Sequence, residues 1–357
     1  MKIGVIGCGS ISGIYFKNIT TRFQELEIAG ICDVDQGKAM AASKEWGIPK
    51  VYADMHEMLS DPMVEIVLNL TRPYEHFDVD MAAIRAGKHV YSEKPLGATL
   101  DEGKKIIAAA KEKNVMVCGA PDTFLGAGIQ TCRKLIDDGF IGKPVGASAF
   151  MACRGHESWH PDPEFYYKYG GGPMLDMGPY YLTALVSLLG EVSDVAGMAK
   201  ASFPQRVITS EPKNGTVVDV EVDTYITGMM SFKNGAVGTI FTTFDVHAAQ
   251  VPRIEIYGSK GTLSVPDPNT FGGDVMLYRP ESKEFLKMPL LFENVENSRG
   301  LGLLDMARSL KNGTHPRAGS DMTLHVLEIM SSFITSSKER RFVTLESHVE
   351  RPEPLNI

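Results

Sequence analysis

The stretch Lys2-Ile3-Gly4-Val5-Ile6-Gly7-Cys8-Gly9-Ser10-Ile11-Ser12-Gly13 reads as a short strand, a glycine-rich turn and the start of a helix. Glycines after a strand let backbone amides approach an anion without a Cβ in the way, and a helix N-terminus adds partial positive charge. The pyrophosphate of a dinucleotide suits such a turn, with Gly7, Gly9, Ser10 and Ile11 beside it. The pattern is one step off the usual spacing, because Ser12 stands at the third glycine position and Gly13 follows it. A plain tight turn is the alternative. Asp33, closing the second apolar run about 20 residues on, favours the dinucleotide. Its carboxylate is expected to accept hydrogen bonds from ribose hydroxyls and to repel a 2′-phosphate, which favours NAD over NADP. Neither Val34 nor Gln36 is cationic, so nothing beside Asp33 compensates for that phosphate. The plainer role for Asp33 is to start a turn with Asp35.

Working outward, the first 120 residues alternate short apolar runs with amphipathic segments, the pattern of parallel strands crossed over by helices. Strands are expected at 2–6, 28–32, 66–70, 89–91 and 115–118, with a short extra one at 51–52. Helical spacing marks 12–22, 36–46, 76–86 and 100–113. This is a doubly wound parallel sheet. Beyond Pro121 the strands lengthen and stop alternating with helices, so a second domain is expected over 122–357, against 1–121 for the first. Half-buried antiparallel strands are expected at 145–152, 195–203, 220–232, 236–245, 253–257 and 261–265, with Asn234-Gly235 as a tight hairpin in which both residues tolerate positive φ. Residues 266–273 read as a loop, and 301–312 and 324–336 as helices. One large sheet with a face uncovered by helices is implied, and such a face invites self-association.

The chain has 357 residues, 22% charged and 43% hydrophobic, with a net charge of -8. That length suits two domains with a cleft. An acidic balance supplies no basic field for nucleic acid. No run approaches the roughly 18 apolar residues of a membrane span, and the N-terminus reads as a strand, not a signal. The five cysteines, at 8, 32, 118, 132 and 153, form no regular framework. Free thiols and a cytoplasmic location follow, with no redox role for any of them.

Two further stretches carry chemistry. His89-Val90-Tyr91-Ser92-Glu93-Lys94-Pro95-Leu96-Gly97 places a cation one small domain's length after the glycine turn, where it can meet a nicotinamide ring. Tyr169-Gly170-Gly171-Gly172-Pro173-Met174-Leu175-Asp176-Met177-Gly178-Pro179-Tyr180-Tyr181 places Asp176 and Tyr180 four apart, on one face if the segment is helical, behind glycines that admit a ring or sugar. A flexible loop before a helix is the plainer reading, and Pro179 must distort that helix.

With these residues in view the chain resembles the Gfo/Idh/MocA family of glucose-fructose oxidoreductases, inositol dehydrogenases and their relatives. The glycine turn, Thr71 to His76, Glu93-Lys94-Pro95 and the GGGxLxDxG stretch fall in the family's order over nearly the whole chain. The resemblance implies an N-terminal Rossmann domain and a C-terminal α/β domain whose open-faced, mainly antiparallel sheet builds homodimers or homotetramers. It places Thr71, Pro73, His76, Glu93 and Lys94 at the cofactor, with Lys94 near nicotinamide and the substrate hydroxyl, and Asp176 in the catalytic set. Tyr180 stands where many relatives have a catalytic histidine. A phenol has an ordinary pKa near 10, so taking a proton at pH 7 costs about 4 kcal/mol unaided. Lys94 and oxidised nicotinamide, both cationic, would lower that cost. Tyr181, Lys94 and water remain competitors for the proton. Asp122, at the domain junction, replaces a polar pair common in relatives and is carried as a substrate contact. Arg72 stands where a proline is frequent, and His76 could equally cap its helix.

The segment Arg154-Gly155-His156-Glu157-Ser158-Trp159-His160-Pro161-Asp162-Pro163 combines donors, acceptors and an aromatic face, a mixture that binds carbohydrate. His156, Trp159 and His160 are its candidate substrate contacts. A structural loop, or a metal site using both histidines, is the alternative. The expected activity is NAD-dependent hydride transfer at a carbinol carbon of a sugar, cyclitol or glycoside, with no metal and no nucleic-acid or membrane partner. Its rivals are a glycosidase acting through transient oxidation and elimination, and a non-catalytic NAD-binding sensor.

Overall fold

A computed structural model describes residues 1–356. The chain divides into two compact units, one of Met1–Asp122 with Asn297–Leu324 and one of Thr123–Glu296 with His325–Ile357.

The first unit begins β1 (Lys2–Ile6), α1 (Ser12–Thr21), β2 (Glu27–Cys32), α2 (Gln36–Trp46) and α3 (Met55–Ser60). It continues with β3 (Ile66–Asn69), α4 (His76–Arg85), β4 (His89–Ser92), α5 (Leu100–Lys113) and β5 (Val117–Gly119). The strands lie in the order β2-β1-β3-β4-β5, all parallel, with Ile3, Val5, Ile66, Val67, Leu68, Val90 and Tyr91 fully buried. Both faces of such a sheet are covered, so its strands read as continuous apolar runs. Helix ends follow local chemistry. The Asp35 carboxylate caps α2, and Gly47 closes it in the left-handed region. Thr99 and Glu102 form a capping box on α5, which Asn114 ends with φ of 52°. Residues 51–52 form no strand; Val51 makes only a single bridge to Ile31.

The second unit opens with α6 (Ala127–Asp137), β6 (Pro144–Ala152), α7 (Pro173–Asp176), α8 (Gly178–Leu189) and β7 (Val192–Lys200). Then come β8 (Gln205–Val207), β9 (Val217–Asp219), β10 (Tyr225–Phe232), β11 (Val237–Thr243), β12 (Ile254–Gly258), β13 (Gly261–Val265), β14 (Val275–Tyr278) and β15 (Phe285–Met288). Helix α9 (Leu301–Asn312) belongs to the first unit; α10 (Ser320–Glu339) and β16 (Val343–Thr344) complete the chain. Nine strands form one sheet in the order β15-β14-β13-β12-β6-β11-β10-β7-β16, antiparallel except for β6 beside β11. Strands β8 and β9 make a separate ribbon.

One face of the large sheet is packed closely enough by α10 that a Cβ on Gly197 would lie 2.7 Å from the Phe333 carbonyl oxygen. The other face carries Met198, 74% exposed, and Met229, 49% exposed, with the rings of Phe150 and Phe241 4.9 Å apart.

Four local expectations change. The strand expected over 220–232 begins only at Tyr225, and β14 and β15 extend the sheet beyond the expected loop. The Asn234-Gly235 hairpin exists, but only Gly235 has positive φ, 90°. Phe232 and Ala236 pair across a three-residue loop, and the Asn234 Oδ1 accepts the Ala236 amide at 2.9 Å. The helix expected to carry Asp176 and Tyr180 on one face is two helices, α7 and α8, broken at Met177 with Pro179 in the first turn of α8. A proline cannot donate within a helix but is tolerated where the amides are unpaired anyway.

Candidate active site

The nucleotide end of the first unit is built from backbone. Gly7 has φ of 100°, and a Cβ there would lie 2.8 Å from the Leu70 carbonyl, so only glycine fits. Around Gly9 and Gly13 a Cβ would meet nothing within 4 Å, leaving open space in front of the first turn of α1. The Asp33 Oδ2 accepts the Cys8 amide at 2.7 Å, and its Oδ1 accepts the Asp35 amide at 2.8 Å. Asp33 therefore does start the turn, and the same carboxylate is tied to the glycine loop. An open glycine cradle at a helix N-terminus beside a carboxylate fits a dinucleotide. Burial and the nearby Asp33 push the Cys8 thiol up to about 12, so it stays protonated.

The 71–76 and 93–95 segments are held by buried hydrogen bonds. Asn69 Oδ1 accepts from both the amide and hydroxyl of Thr71, at 3.1 and 2.6 Å, and the Asn69 side chain donates to Asp80 at 2.7 Å. His76 is 1% exposed, its ring lying between the carbonyls of Pro95, 2.8 Å from Nδ1, and Thr71, 3.1 Å from Nε2. It thus ties the two segments together, more than a helix cap would. Pro73 sits in a single turn ahead of α4. The buried Glu93 accepts the Tyr15 phenol at 2.7 Å and the Lys94 amide at 3.1 Å. Burial and then Glu93 keep the Tyr15 phenol well above its ordinary pKa, so it remains a donor. Lys94 itself is half-buried.

Asp122, expected to meet substrate, is 1% exposed, and its Oδ2 accepts the amides of Gly300 and Gly302 at 2.8 and 3.0 Å. These are unpaired donors at the start of α9. The carboxylate is occupied with backbone, and burial pushes it up to about 6. The structure gives it this structural task in place of a substrate contact.

In the second unit the residues after β6 fold back on α7. Gly170 and Gly172 have φ of 79° and 90°, and a Cβ on Gly171 would lie 2.7 Å from the Tyr166 carbonyl carbon. Gly171 and Gly172 therefore serve close approach of the chain's own backbone, where a ring or sugar was expected. Gly171 and Gly172 donate to the carbonyls of Lys168 and Tyr166 at 2.8 and 2.7 Å. This turn carries Tyr166 and the loop before it toward α7, and His156 Nε2 lies 3.1 Å from Asp176 Oδ2. The two residues are 20 apart in sequence.

Rings surround that pair. The His156 centroid is 4.0 Å from Tyr166, 4.8 Å from Phe244 and 5.2 Å from Trp159. Trp159 is 61% exposed. His160 Nδ1 accepts the Asp162 amide at 3.0 Å, and Ser210 donates to the His160 carbonyl at 2.5 Å. Each histidine thus has a partner other than a shared metal ion, and among the described residues no group of three or more His, Cys, Asp or Glu could hold one. Tyr180 lies in the first turn of α8 and is 7% exposed. Tyr181 is fully buried, and burial pushes its phenol up, which makes it core.

Sequence reasoning missed Tyr166, Phe244 and Arg206. Arg206, on β8, pairs with Asp245 and lies 3.3 Å from Glu157, while Glu157 accepts the Thr209 and Ser210 amides on its carbonyl at 2.9 Å. The ribbon thereby clamps the His156 loop. A lone arginine in a short exposed strand gives no local signal of this.

A parallel nucleotide-binding sheet joined to a large mixed sheet defines a two-unit dinucleotide-binding protein. The chain belongs to the GFO/IDH/MocA oxidoreductases: residues 1–120 match the oxidoreductase family with an NAD-binding Rossmann fold, and residues 129–264 match its C-terminal domain. It is 26% identical over 348 residues to the myo-inositol 2-dehydrogenase of Thermotoga maritima, covering 97% of this chain and 99% of that one. Its fold matches an NAD binding oxidoreductase from Klebsiella pneumoniae with TM-score 0.84 and 22% identity, over 97% and 99% of the chains. It likewise matches levoglucosan dehydrogenase in complex with NADH with TM-score 0.82 and 20% identity, over 97% and 99%.

Proposed function

We propose that this protein is an NAD-dependent dehydrogenase acting on a CH–OH group of a cyclitol, sugar or glycoside. The observation that carries the reading is the Asp176–His156 pair, a polar floor ringed by Tyr166, Phe244 and the exposed face of Trp159. Hydroxyl groups find donors and acceptors on such a floor, and the apolar face of a sugar ring finds aromatic carbon. The names of the relatives, myo-inositol 2-dehydrogenase and levoglucosan dehydrogenase, favour the same substrate class.

The first unit binds the cofactor through Gly7, Gly9, Ser10, Ile11 and Asp33, with Thr71, Pro73, His76 and Glu93 shaping the segments that carry Lys94. When bound, NAD supplies the hydride acceptor. Lys94 contributes a cation to the reacting hydroxyl, and Asp176 and Tyr180 orient it. His156, Trp159 and His160 also meet the substrate. Asp33 selects NAD over NADP by repelling a 2′-phosphate.

A homodimer or homotetramer through the open face of the nine-stranded sheet accords with the exposed Met198 and Met229. Five unpaired cysteines accord with the cytoplasm, and among the described residues no helix is long and apolar enough to cross a membrane.

The test is calorimetry with NAD together with a polyol and sugar screen read by absorbance of the reduced nicotinamide. Lys94→Ala and Tyr180→Phe should each keep NAD binding and lose most turnover. Wild-type rates in both variants would defeat the assignment. Sugar release without accumulating NADH would point to an elimination mechanism, and binding without any turnover to a sensor.

A further inference from the structure

We infer that His156, through Nδ1, is the proton acceptor of this site, and that Tyr180 only holds the hydroxyl; the inference rests on the dehydrogenase reading. Asp176 Oδ2 lies 3.1 Å from Nε2. A carboxylate can only accept, so it selects the tautomer with the proton on Nε2 and the lone pair on Nδ1. No hydrogen bond from the described residues engages Nδ1, while the ring plane is fixed by Tyr166, Phe244 and Trp159. Carboxylate, oriented imidazole and open lone pair are the parts of a general base whose cation is stabilised by the group behind it.

Magnitudes favour the imidazole over the phenol. Taking a proton at pH 7 costs a phenolate of ordinary pKa about 4 kcal/mol, and a neutral imidazole almost nothing. The glycine turn at 170–172 lets a loop histidine reach the Asp176 carboxylate from outside the motif.

In the oxidation direction the O–H bond breaks and its proton moves to Nδ1. The electron pair left on oxygen would become the second carbonyl bond as the carbinol C–H bond breaks, and bound oxidised nicotinamide would supply the acceptor for its hydride. The imidazolium then shares its charge with Asp176. The other titratable groups around His156 are His160, Cys153, Tyr166, Tyr167 and Glu157, the last facing Arg206 at 3.3 Å. Of the charged groups on this face, the carboxylate of Asp176 is the one paired with the ring.

Nitrogen NMR of the whole protein tests the tautomer without any substrate. A proton on Nε2 at neutral pH, lost as a preference in Asp176→Asn, is expected; a proton on Nδ1 with Nε2 bare would overturn the inference. Kinetics with NAD and either myo-inositol or levoglucosan test the step itself. His156→Ala should lower kcat about a hundredfold or more, change KM only a few-fold, abolish the lower-pH limb of kcat/KM and regain turnover with added imidazole. Tyr180→Phe should keep that limb. Retention of the limb in His156→Ala with its loss in Tyr180→Phe would return the proton to the phenol. A wild-type protein that oxidises neither polyol would count against the dehydrogenase reading, and the tautomer measurement would still decide the role of His156.

Discussion

One oxygen of Asp33 accepts the Asp35 amide and the other the Cys8 amide, and we propose that its charge also selects the cofactor. Asp33→Asn keeps an acceptor for the turn and removes the repulsion of a 2′-phosphate. The ratio of Kd for NADP to Kd for NAD, measured by calorimetry, should fall at least tenfold, about 1.4 kcal/mol. An unchanged ratio would leave Asp33 a turn residue only. Asp80 allows a pH test. It is fully buried, accepts from Asn69 at 2.7 Å, and burial pushes it up to about 7. The unfolded carboxyl titrates near 3.9. The folded state therefore holds the extra proton between those values, so this contribution to stability is full below about pH 4, declines up to about pH 7 and is level above. Asp80→Asn retains an acceptor without the charge. Urea unfolding should show wild type losing on the order of 4 kcal/mol relative to the variant between pH 4 and 8. Parallel pH profiles for the two proteins would refute this.

At the scale of elements, helix ends are where local chemistry speaks most clearly. The spans expected for α2, α5 and α9 agree with the structure because a capping side chain or a glycine stands at their ends, namely Asp35 and Gly47, Thr99 and Asn114, and Gly300 and Gly313. Helix α8 is buried along its whole length and shows no polar face to mark its period. The start of α9 depends on a residue far away in sequence, Asp122, which accepts two of its first amides. Asp122→Ala should leave those donors buried without a partner and cost about 1–3 kcal/mol in chemical denaturation. A loss below a few tenths would show that the cap contributes nothing. The candidate site was legible to the extent that its residues sit in local motifs, as with Gly7, Asp33 and Lys94. Tyr166, Phe244 and Arg206 were not, because each reaches the His156 loop from a separate element.

For the whole molecule, the open face of the nine-stranded sheet is the surface through which self-association is proposed. Met229 is 49% exposed beside Thr239 and Ala196 on neighbouring strands. A charge there would have to be desolvated on association. Met229→Glu should convert the proposed oligomer into monomers in light scattering after size exclusion, with the unfolding midpoint of the separated chain retained. An oligomer unaffected by the change would place the interface elsewhere.

What the sequence by itself determined were features whose causes lie within one helical turn or one strand of themselves: the alternating strands and helices of the first unit, the glycine cradle with Asp33, the capped helices and the alternating strands of the second unit. Tertiary structure alone decided that residues 297–324 belong with the first unit, that Asp122 is spent on α9, and that His156 meets Asp176. Side-chain periodicity and capping act between near neighbours. Which distant groups meet depends on how closely backbones pack, as at Gly171 against Tyr166, and no short stretch of chain encodes that alone.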